Sequence, residues 1–254
     1  MIIDIHSHIL PTLDDGPSSR EDSIEMAKRA CKEGIHHMIA TPHHANGKYV
    51  NEALAVENAV SELNHYLETC GIDLTLYPGQ EIRVYDGLLD DLNRGDLLLS
   101  LNYSRYLLLE FPTTHIPKYS HSLFYELRLM DLVPIIAHPE RNLEVMDDPE
   151  KLIPFIELGA LGQVTSHSLQ GLFGKKIQKV ALDLCQRNYA HLMASDAHDN
   201  QRRTPELQLA YYYLQKQTSD SHADYFQTNA HCVLHSNPVE IWEPKSMKKK
   251  WFWF

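Results

Sequence analysis

Short apolar runs alternate with amphipathic stretches along most of this chain, the pattern of repeated β-α units around a parallel sheet. Strands are expected at Ile2–Ile5, His36–Ala40, Leu74–Tyr77, Tyr106–Leu109, Val133–Ala137, Ala160–Val164 and His191–Ala194. Tyr106-Leu-Leu-Leu109 and Val133-Pro-Ile-Ile-Ala137 are the continuous apolar runs expected of strands buried on both faces. Between them the apolar period lengthens to that of a helix. A first helix is expected to start at Ser18 or Ser19, followed by the early acids Glu21 and Asp22. It carries Ile24, Ala27, Ala30 and Cys31 on one face and stops at Gly34. A second, over residues 51–69, places Val56, Ala59, Val60, Leu63 and Leu67 together. Further helices are expected near 118–131, 149–158, 174–189 and 204–217. No Gly-x-Gly-x-x-Gly turn follows the first strand, which favours a closed α/β barrel over an open dinucleotide-binding sheet.

At 254 residues the chain suits one such barrel. We expect a single domain over 1–244 and a separate tail over 245–254. Lys+Arg 23 against Asp+Glu 34, a net charge of −11, speaks against a nucleic-acid binder that relies on a basic face. The N-terminus has no basic region followed by an apolar one, and no apolar run approaches bilayer length, so the expected location is the cytoplasm. The four cysteines, Cys31, Cys70, Cys185 and Cys232, are scattered and are expected as reduced, mostly buried thiols. None has an arginine six positions later, which excludes a cysteine-based phosphatase loop. The tail Lys245-Ser-Met-Lys-Lys-Lys-Trp-Phe-Trp-Phe254 reverses the overall charge and adds aromatics. That pairing suits weak contact with an anionic membrane surface.

The chemistry gathers where strands end. His6 and His8 lie two apart, on one side of an extended segment, and Asp14-Asp15-Gly16 follows. His43 and His44 come after the second strand and Glu81 after the third. Glu110, His138, and the pair Asp196 and His198 complete the set. A single His-x-His pair arises readily by chance. Six strand ends meeting at one barrel mouth do not, and so many carboxylates together require cations. Imidazoles and carboxylates without thiolates favour Mn, Fe, Zn or Co. Two metals sharing a carboxylate, for which Glu81 is the candidate, suit hydrolysis because they acidify water and clamp both attacking and leaving oxygens. Arg141, and Arg202 or Arg203, supply forked donors for phosphate. Tyr49, Phe111, His115 and Tyr119 could line the mouth, with core packing the default expectation for each.

Asp4-Ile-His-Ser-His-Ile-Leu-Pro11, Asp14-Asp-Gly16, Ala40-Thr-Pro-His-His44, Gly79-Gln-Glu81, Leu109-Glu-Phe111, Ala137-His-Pro-Glu-Arg141 and Ala194-Ser-Asp-Ala-His198 together resemble the PHP (polymerase and histidinol phosphatase) superfamily. Within it the chain is similar to the manganese-dependent bacterial tyrosine phosphatases of the YwqE and CpsB type. The resemblance covers nearly the whole chain. It implies a distorted (β/α)7 TIM-like barrel with a trinuclear metal site, manganese first. His6, His8, Glu81 and Asp196 would hold one ion; Glu81, Glu110 and His138 a second; Asp15, His43 and His198 a third. Arg141 and Arg203 would bind phosphate, with acid assistance from His43, His198 or a metal-bound water. The implied substrate is phosphotyrosine on a bacterial tyrosine kinase and its targets, in capsule or exopolysaccharide synthesis. Rival readings are another hydrolase with the same metal cluster, acting on histidinol phosphate, nucleotides or an amide, and a non-catalytic metal-containing phosphotyrosine-binding regulator. An amidohydrolase would want a strand-borne lysine, which none of these ends supplies.

Overall fold

The computed structural model describes residues 2–246. The apolar runs become strands β1 (Ile2–Ser7), β2 (Ile35–Ala40), β3 (His43–His44), β4 (Thr75–Pro78), β5 (Glu81–Arg83), β6 (Tyr106–Glu110), β7 (Val133–Ala137), β8 (Leu161–Thr165) and β9 (Leu192–Ala194). Every pairing is parallel. They form a three-stranded sheet, β1-β2-β4, and a six-stranded sheet, β3-β5-β6-β7-β8-β9.

Only Thr41 and Pro42 separate β2 from β3, and only Gly79 and Gln80 separate β4 from β5. Pro42 has no N–H to continue a ladder, so pairing lapses there. Glu81 N–H nonetheless donates to the Pro42 carbonyl at 3.1 Å. A Cβ on Gly79 would stand 2.9 Å from both Ile39 Cγ2 and Leu101 Cδ2, so the interruption also needs a residue without a side chain. At the other edge, Asp196 N–H donates to the His6 carbonyl at 2.9 Å and His8 N–H to the Ala197 carbonyl at 2.8 Å. The C-terminal end of β1 and the segment just past β9 are thereby joined.

Alternation along the strands divides the core. Ile3, Ile5, Leu108, Ile135, Leu161 and Leu192 fall in one cluster, while Leu107, Leu109, Ile136 and Val164 pack with the surrounding helices in another. The helix Asp220–Leu234, absent from the sequence expectation, adds Ala230, Val233 and Leu234 to the first cluster. Its Asn229 donates to the carbonyl of His191, at the entry of β9, and Tyr106, opening β6, donates to the carbonyl of Asn237. This helix therefore covers the N-terminal ends of the strands and leaves their C-terminal ends free for chemistry.

The expected helices appear with trimmed ends. Ser19, not Ser18, caps the first, Arg20–Lys32, accepting from Asp22 N–H. Ala53–Thr69 follows, with Val56, Val60, Leu63 and Leu67 buried and Ala59 only partly so. The expected 149–158 helix is instead a 3-10 turn, Pro149–Leu152, and a short helix, Ile153–Glu157. Pro154 cannot donate back across that joint. The 204–217 helix begins only at Gln208: Pro205 disfavours a helical Thr204, and the backbone first turns helical after Leu207. Helices Leu88–Arg94 and Ser166–Gln170 were not expected from the pattern. All four cysteines are free, but only Cys185 is buried; Cys70 is exposed, and Cys31 and Cys232 are half-buried. Among the described residues no helix is long and apolar enough to cross a membrane. The basic-aromatic tail lies outside the described residues apart from Lys245 and Ser246. Lys245 is tied down by its N–H and its ammonium, which donate to the Arg187 and Gln186 carbonyls.

Candidate metal centre

The strand ends deliver the expected residues to one place. β1 carries His6 and, just beyond it, His8, both fully buried. His43 and Glu81 do not merely follow strands: they pair directly across β3 and β5. Glu110 closes β6, His138 follows β7, and Asp196 and His198 follow β9. His138 (φ 33°) and Asp196 (φ 54°) both occupy the left-handed region, a strained backbone that turns their side chains at the strand exits.

Three sets of ligand atoms converge, each within 4.8 Å: His6, His8, Glu81 and Asp196; His43, Glu81 and Glu110; and His8, Asp15, His43 and His198. Glu81 belongs to two of them. In the first, His6 Nε2 lies 3.3 Å from His8 Nε2, 3.4 Å from Glu81 Oε2 and 3.3 Å from Asp196 Oδ1. His8 Nε2 lies 3.2 Å from each of those oxygens. His138 Nε2 meets the other Glu81 oxygen at 2.6 Å and stands 4.0 Å from Glu110. Asp15 Oδ1 is 3.5 Å from His43 Nε2 and 3.4 Å from His198 Nε2. Of the adjacent acids, Asp15 therefore reaches the cluster directly. Asp14 accepts from His8 Nδ1 at 2.6 Å and from the backbone N–H of Gly16 and His43.

The residues fit divalent cations on two counts. Buried Glu81 Oε2 and His43 Nδ1 lie 2.9 Å apart, and His198 Nε2 lies 3.4 Å from Asp15, yet none of the three atoms makes a well-directed hydrogen bond although all face other ligand atoms. Such orphaned atoms are costly unless something else satisfies them. The 3.2–3.4 Å spacings in the first set also suit ligands sharing one ion, since bonds of about 2.0–2.2 Å leave adjacent donors about 3 Å apart. Backing groups settle which nitrogen faces inward. His6 Nδ1 meets Gln163 Oε1 at 2.8 Å, His8 Nδ1 meets Asp14, and His198 Nδ1 meets the Asp196 carbonyl at 2.9 Å. Each acceptor draws the proton to Nδ1 and leaves the Nε2 lone pair inward.

Burial would neutralise Glu81, yet His6, His43 and His138 around it hold its carboxyl well below the ordinary range. Burial is likewise outweighed at Asp196, which Arg141, Arg203 and His6 keep ionised. At His198 burial prevails and, with His8 beside it, depresses the imidazole to about 4.

Arg141 and Arg203 reach the same atom, Asp196 Oδ2, the latter at 2.6 Å. Arg141 is further held by Thr165 Oγ1 at 3.1 Å and lies 4.6 Å over the Phe173 ring. Thr165 is itself fixed by the buried Glu140 carboxylate. Arg202 is exposed, with its backbone N–H bonded to Asp199. Sequence reasoning missed Thr165 and Glu140, and two further residues that brace ligands. Gln163 gave no signal, since an amide inside β8 looks like any strand polar residue. Arg83 grips Glu110 Oε2 from Nε at 2.8 Å and Nη2 at 2.7 Å; its place two residues after Glu81 on an extended segment was a usable cue.

The remaining candidates divide. His44 leaves the cluster, bonding the Asn51 carbonyl at 2.8 Å. Phe111 is core, packed on Phe124 and Phe155. His115 and Tyr119 are exposed rather than core, because they sit on the loop after β6 and at the next helix start. Tyr49 is half-buried and stacks beside His43.

The capsular polysaccharide synthesis CpsB/CapC profile matches residues 2–235. The chain belongs to the CpsB/CapC family. The tyrosine-protein phosphatase YwqE of Bacillus subtilis is 44% identical over 249 residues, 98% of each chain. The putative tyrosine-protein phosphatase CapC of Staphylococcus aureus is 38% identical over 253 residues, 99% of each. Among solved structures, one from work on B. subtilis YwqE and Streptococcus pneumoniae CpsB, described as unique metal-dependent tyrosine phosphatases, superposes with a TM-score of 0.94. It is 44% identical and covers 98% of this chain and 100% of its own. A probable 2-pyrone-4,6-dicarboxylic acid hydrolase from Acinetobacter baumannii, 14% identical over 92% of this chain and 98% of its own, shares the fold at a TM-score of 0.53. The CpsB/CapC relatives thus match this chain nearly end to end.

Proposed function

We propose that this CpsB/CapC chain is a metal-dependent protein-tyrosine phosphatase acting on a bacterial tyrosine kinase and its substrates in capsule or exopolysaccharide synthesis. The observation that carries the reading is the convergence of Arg141 and Arg203 on Asp196, a member of the first ligand set. A structural ion needs no guanidinium pair at its open side. A phosphoryl group does.

His6, His8, Glu81 and Asp196 would hold one ion, Glu81, Glu110 and His138 with His43 alongside a second, and Asp15, His43 and His198 a third, with manganese the first choice. Bound divalent ions would acidify a water and offset the charge of the phosphoryl oxygens. The chain's own residues supply the rest. Arg141 and Arg203, each with one terminal nitrogen on Asp196, have further N–H groups to turn toward non-bridging phosphate oxygens. Glu140 and Thr165 keep Arg141 aimed. His198, depressed to about 4, is neutral near pH 7 and suits ligation better than proton donation. Tyrosinate, with a pKa near 10, leaves without a strong acid.

The seven-strand barrel is part of the same reading. Counting β2 with β3 and β4 with β5 gives seven parallel strands, and the bonds from Asp196 to His6 and from His8 to Ala197 support closure. We assign residues 1–244 to one phosphatase domain in the cytoplasm, with 245–254 a weak contact to the membrane's inner face. Unchanged liposome binding after deletion of 245–254 would remove that last element. The activity itself is tested with metal-stripped protein on phosphotyrosine peptides, histidinol phosphate and a nucleotide, restoring Mn, Zn, Fe or Co singly. Metal-restored release from phosphotyrosine is expected; preference for either small molecule, or no release at all, would sink the reading.

A further inference from the structure

The N-terminal ends of the strands carry a second gathering of imidazoles, at the end opposite the candidate metal centre. His37 lies in β2 two residues before Ile39 and shares its inward face, where Tyr77 also packs. The helix Asp220–Leu234, which covers these strand entries, carries His231 in its last turn and is capped by His235. Both are exposed. Their ring centroids stand 4.4 Å apart. Residues four apart share one face of a helix, the spacing at which a histidine pair grips zinc.

His37 belongs to the same group. Its burial, and then the charges of His235, His36 and His231 around it, lower its basicity, against an opposing pull from Asp73. It is therefore a neutral imidazole near pH 7, the form that ligates a metal. His37 Nδ1 lies 2.8 Å from the Tyr77 hydroxyl oxygen, and an N–H donated to that oxygen leaves Nε2 bare. Among the described residues, neither the His231 nor the His235 ring has a hydrogen bond or a paired acid. Cys232, next to His231, has its thiol pushed up by burial and so offers no thiolate.

The backbone that bears the pair is held in place. Asn102 Nδ2 donates to the Leu234 carbonyl at 2.9 Å, His235 N–H to the His231 carbonyl at 3.2 Å, and Asn237 N–H to the Cys232 carbonyl at 2.9 Å. Bringing three rings onto one ion then needs only rotamer changes in two exposed side chains. The C-terminal end of a helix also favours a cation. We propose that His37, His231 and His235 form a further metal site, a zinc clamp that ties the closing helix to β2. Water completes its tetrahedron. Three neutral imidazoles with no carboxylate suit zinc better than manganese, whereas the acids of the candidate metal centre suit manganese. The clamp is independent of the phosphatase reading, and zinc held only by the folded chain would stabilise it.

The test equilibrates stripped protein with buffered micromolar free zinc and counts bound zinc by elemental analysis, in wild type and in His37→Gln, His231→Gln and His235→Gln. Ions at the candidate metal centre are common to all four proteins, so the difference isolates the clamp. Wild type is expected to hold one zinc per chain more than each variant. Equal zinc in wild type and a folded variant would overturn the clamp, and so would a loss confined to the two helix variants, which leaves His37 outside it. A second measurement needs wild type alone: modification by diethyl pyrocarbonate, read residue by residue by mass spectrometry. Zinc is expected to protect His231 and His235 while the exposed His65 continues to react. Unprotected His231 and His235 would overturn the site however the variants fold.

Discussion

Gln163 Oε1 lies 2.8 Å from His6 Nδ1, and the same amide donates from Nε2 to the Val164 carbonyl at 2.8 Å. The second bond fixes which end of the amide faces the histidine. His6 must then carry its proton on Nδ1 and present a bare Nε2 to the ligand cluster. Gln163→Leu should weaken divalent-metal binding about 10- to 100-fold, read by chelator competition on stripped protein. Gln163→Glu, which keeps an acceptor, should recover most of it. Undiminished metal affinity in the leucine variant would show that His6 needs no such partner.

Arg83 restrains Glu110 in a similar way, through two bonds to one oxygen. Replacing it with methionine keeps the stem and frees the carboxylate. We expect phosphate release to fall about tenfold and bound metal to drop on elemental analysis, with Arg83→Lys intermediate because it cannot fork. Thermal stability should move little, since a partly exposed pair contributes about 1 kcal/mol or less. A variant with full metal content and full rate would contradict this.

The guanidinium pair predicts a different signature. Arg141→Ala and Arg203→Ala should each lower kcat/KM by about 10²- to 10³-fold, the usual effect of one lost charge-stabilising donor. Metal content should stay unchanged, and inhibition by inorganic phosphate should weaken in parallel. If either variant lost its metals instead, that arginine would be an Asp196 brace rather than a phosphate ligand.

His191 gives a stability prediction away from the site. It is fully buried, accepts the Gly162 N–H on Nδ1 at 3.0 Å, and burial depresses it to about 3 from an ordinary 6.5. The unfolded chain thus takes up a proton that the folded chain refuses between those values. Stability is fully present above pH 6.5 and is lost as pH falls toward 3, by about 2 kcal/mol between pH 6.5 and 5. His191→Gln keeps an acceptor for Gly162 but does not titrate. Urea denaturation midpoints should therefore fall less steeply with acid in the variant. Parallel pH profiles for the two proteins would count against the assignment.

The strands, and the acids and histidines at their ends, were legible in the sequence because both follow local rules. An apolar run of four or five residues such as Tyr106–Leu109 has few alternatives to a buried strand, and Ile135-Ile136-Ala137 ahead of His138 announces its own exit. The motifs also pointed to Glu81 as the shared carboxylate, and it falls in two of the three ligand sets. Helix ends were misplaced wherever a proline intervened, at Pro154 and Pro205. The helix Asp220–Leu234 was missed although Ala230, Val233 and Leu234 lie on the inner cluster.

Tertiary structure alone decided the division of labour among neighbours in sequence. Asp14 and Asp15 are chemically the same, but the loop's approach to His8 makes one a brace and the other a ligand candidate. Arg203 and not Arg202 faces Asp196, because the turn at Asp199 ties down their backbone N–H groups. Gln163, Arg83 and Thr165 matter through partners 157, 27 and 24 residues away. Sequence determines which groups are available to a metal and a phosphate. Which of them meet depends on distances set only when distant strands pack side by side.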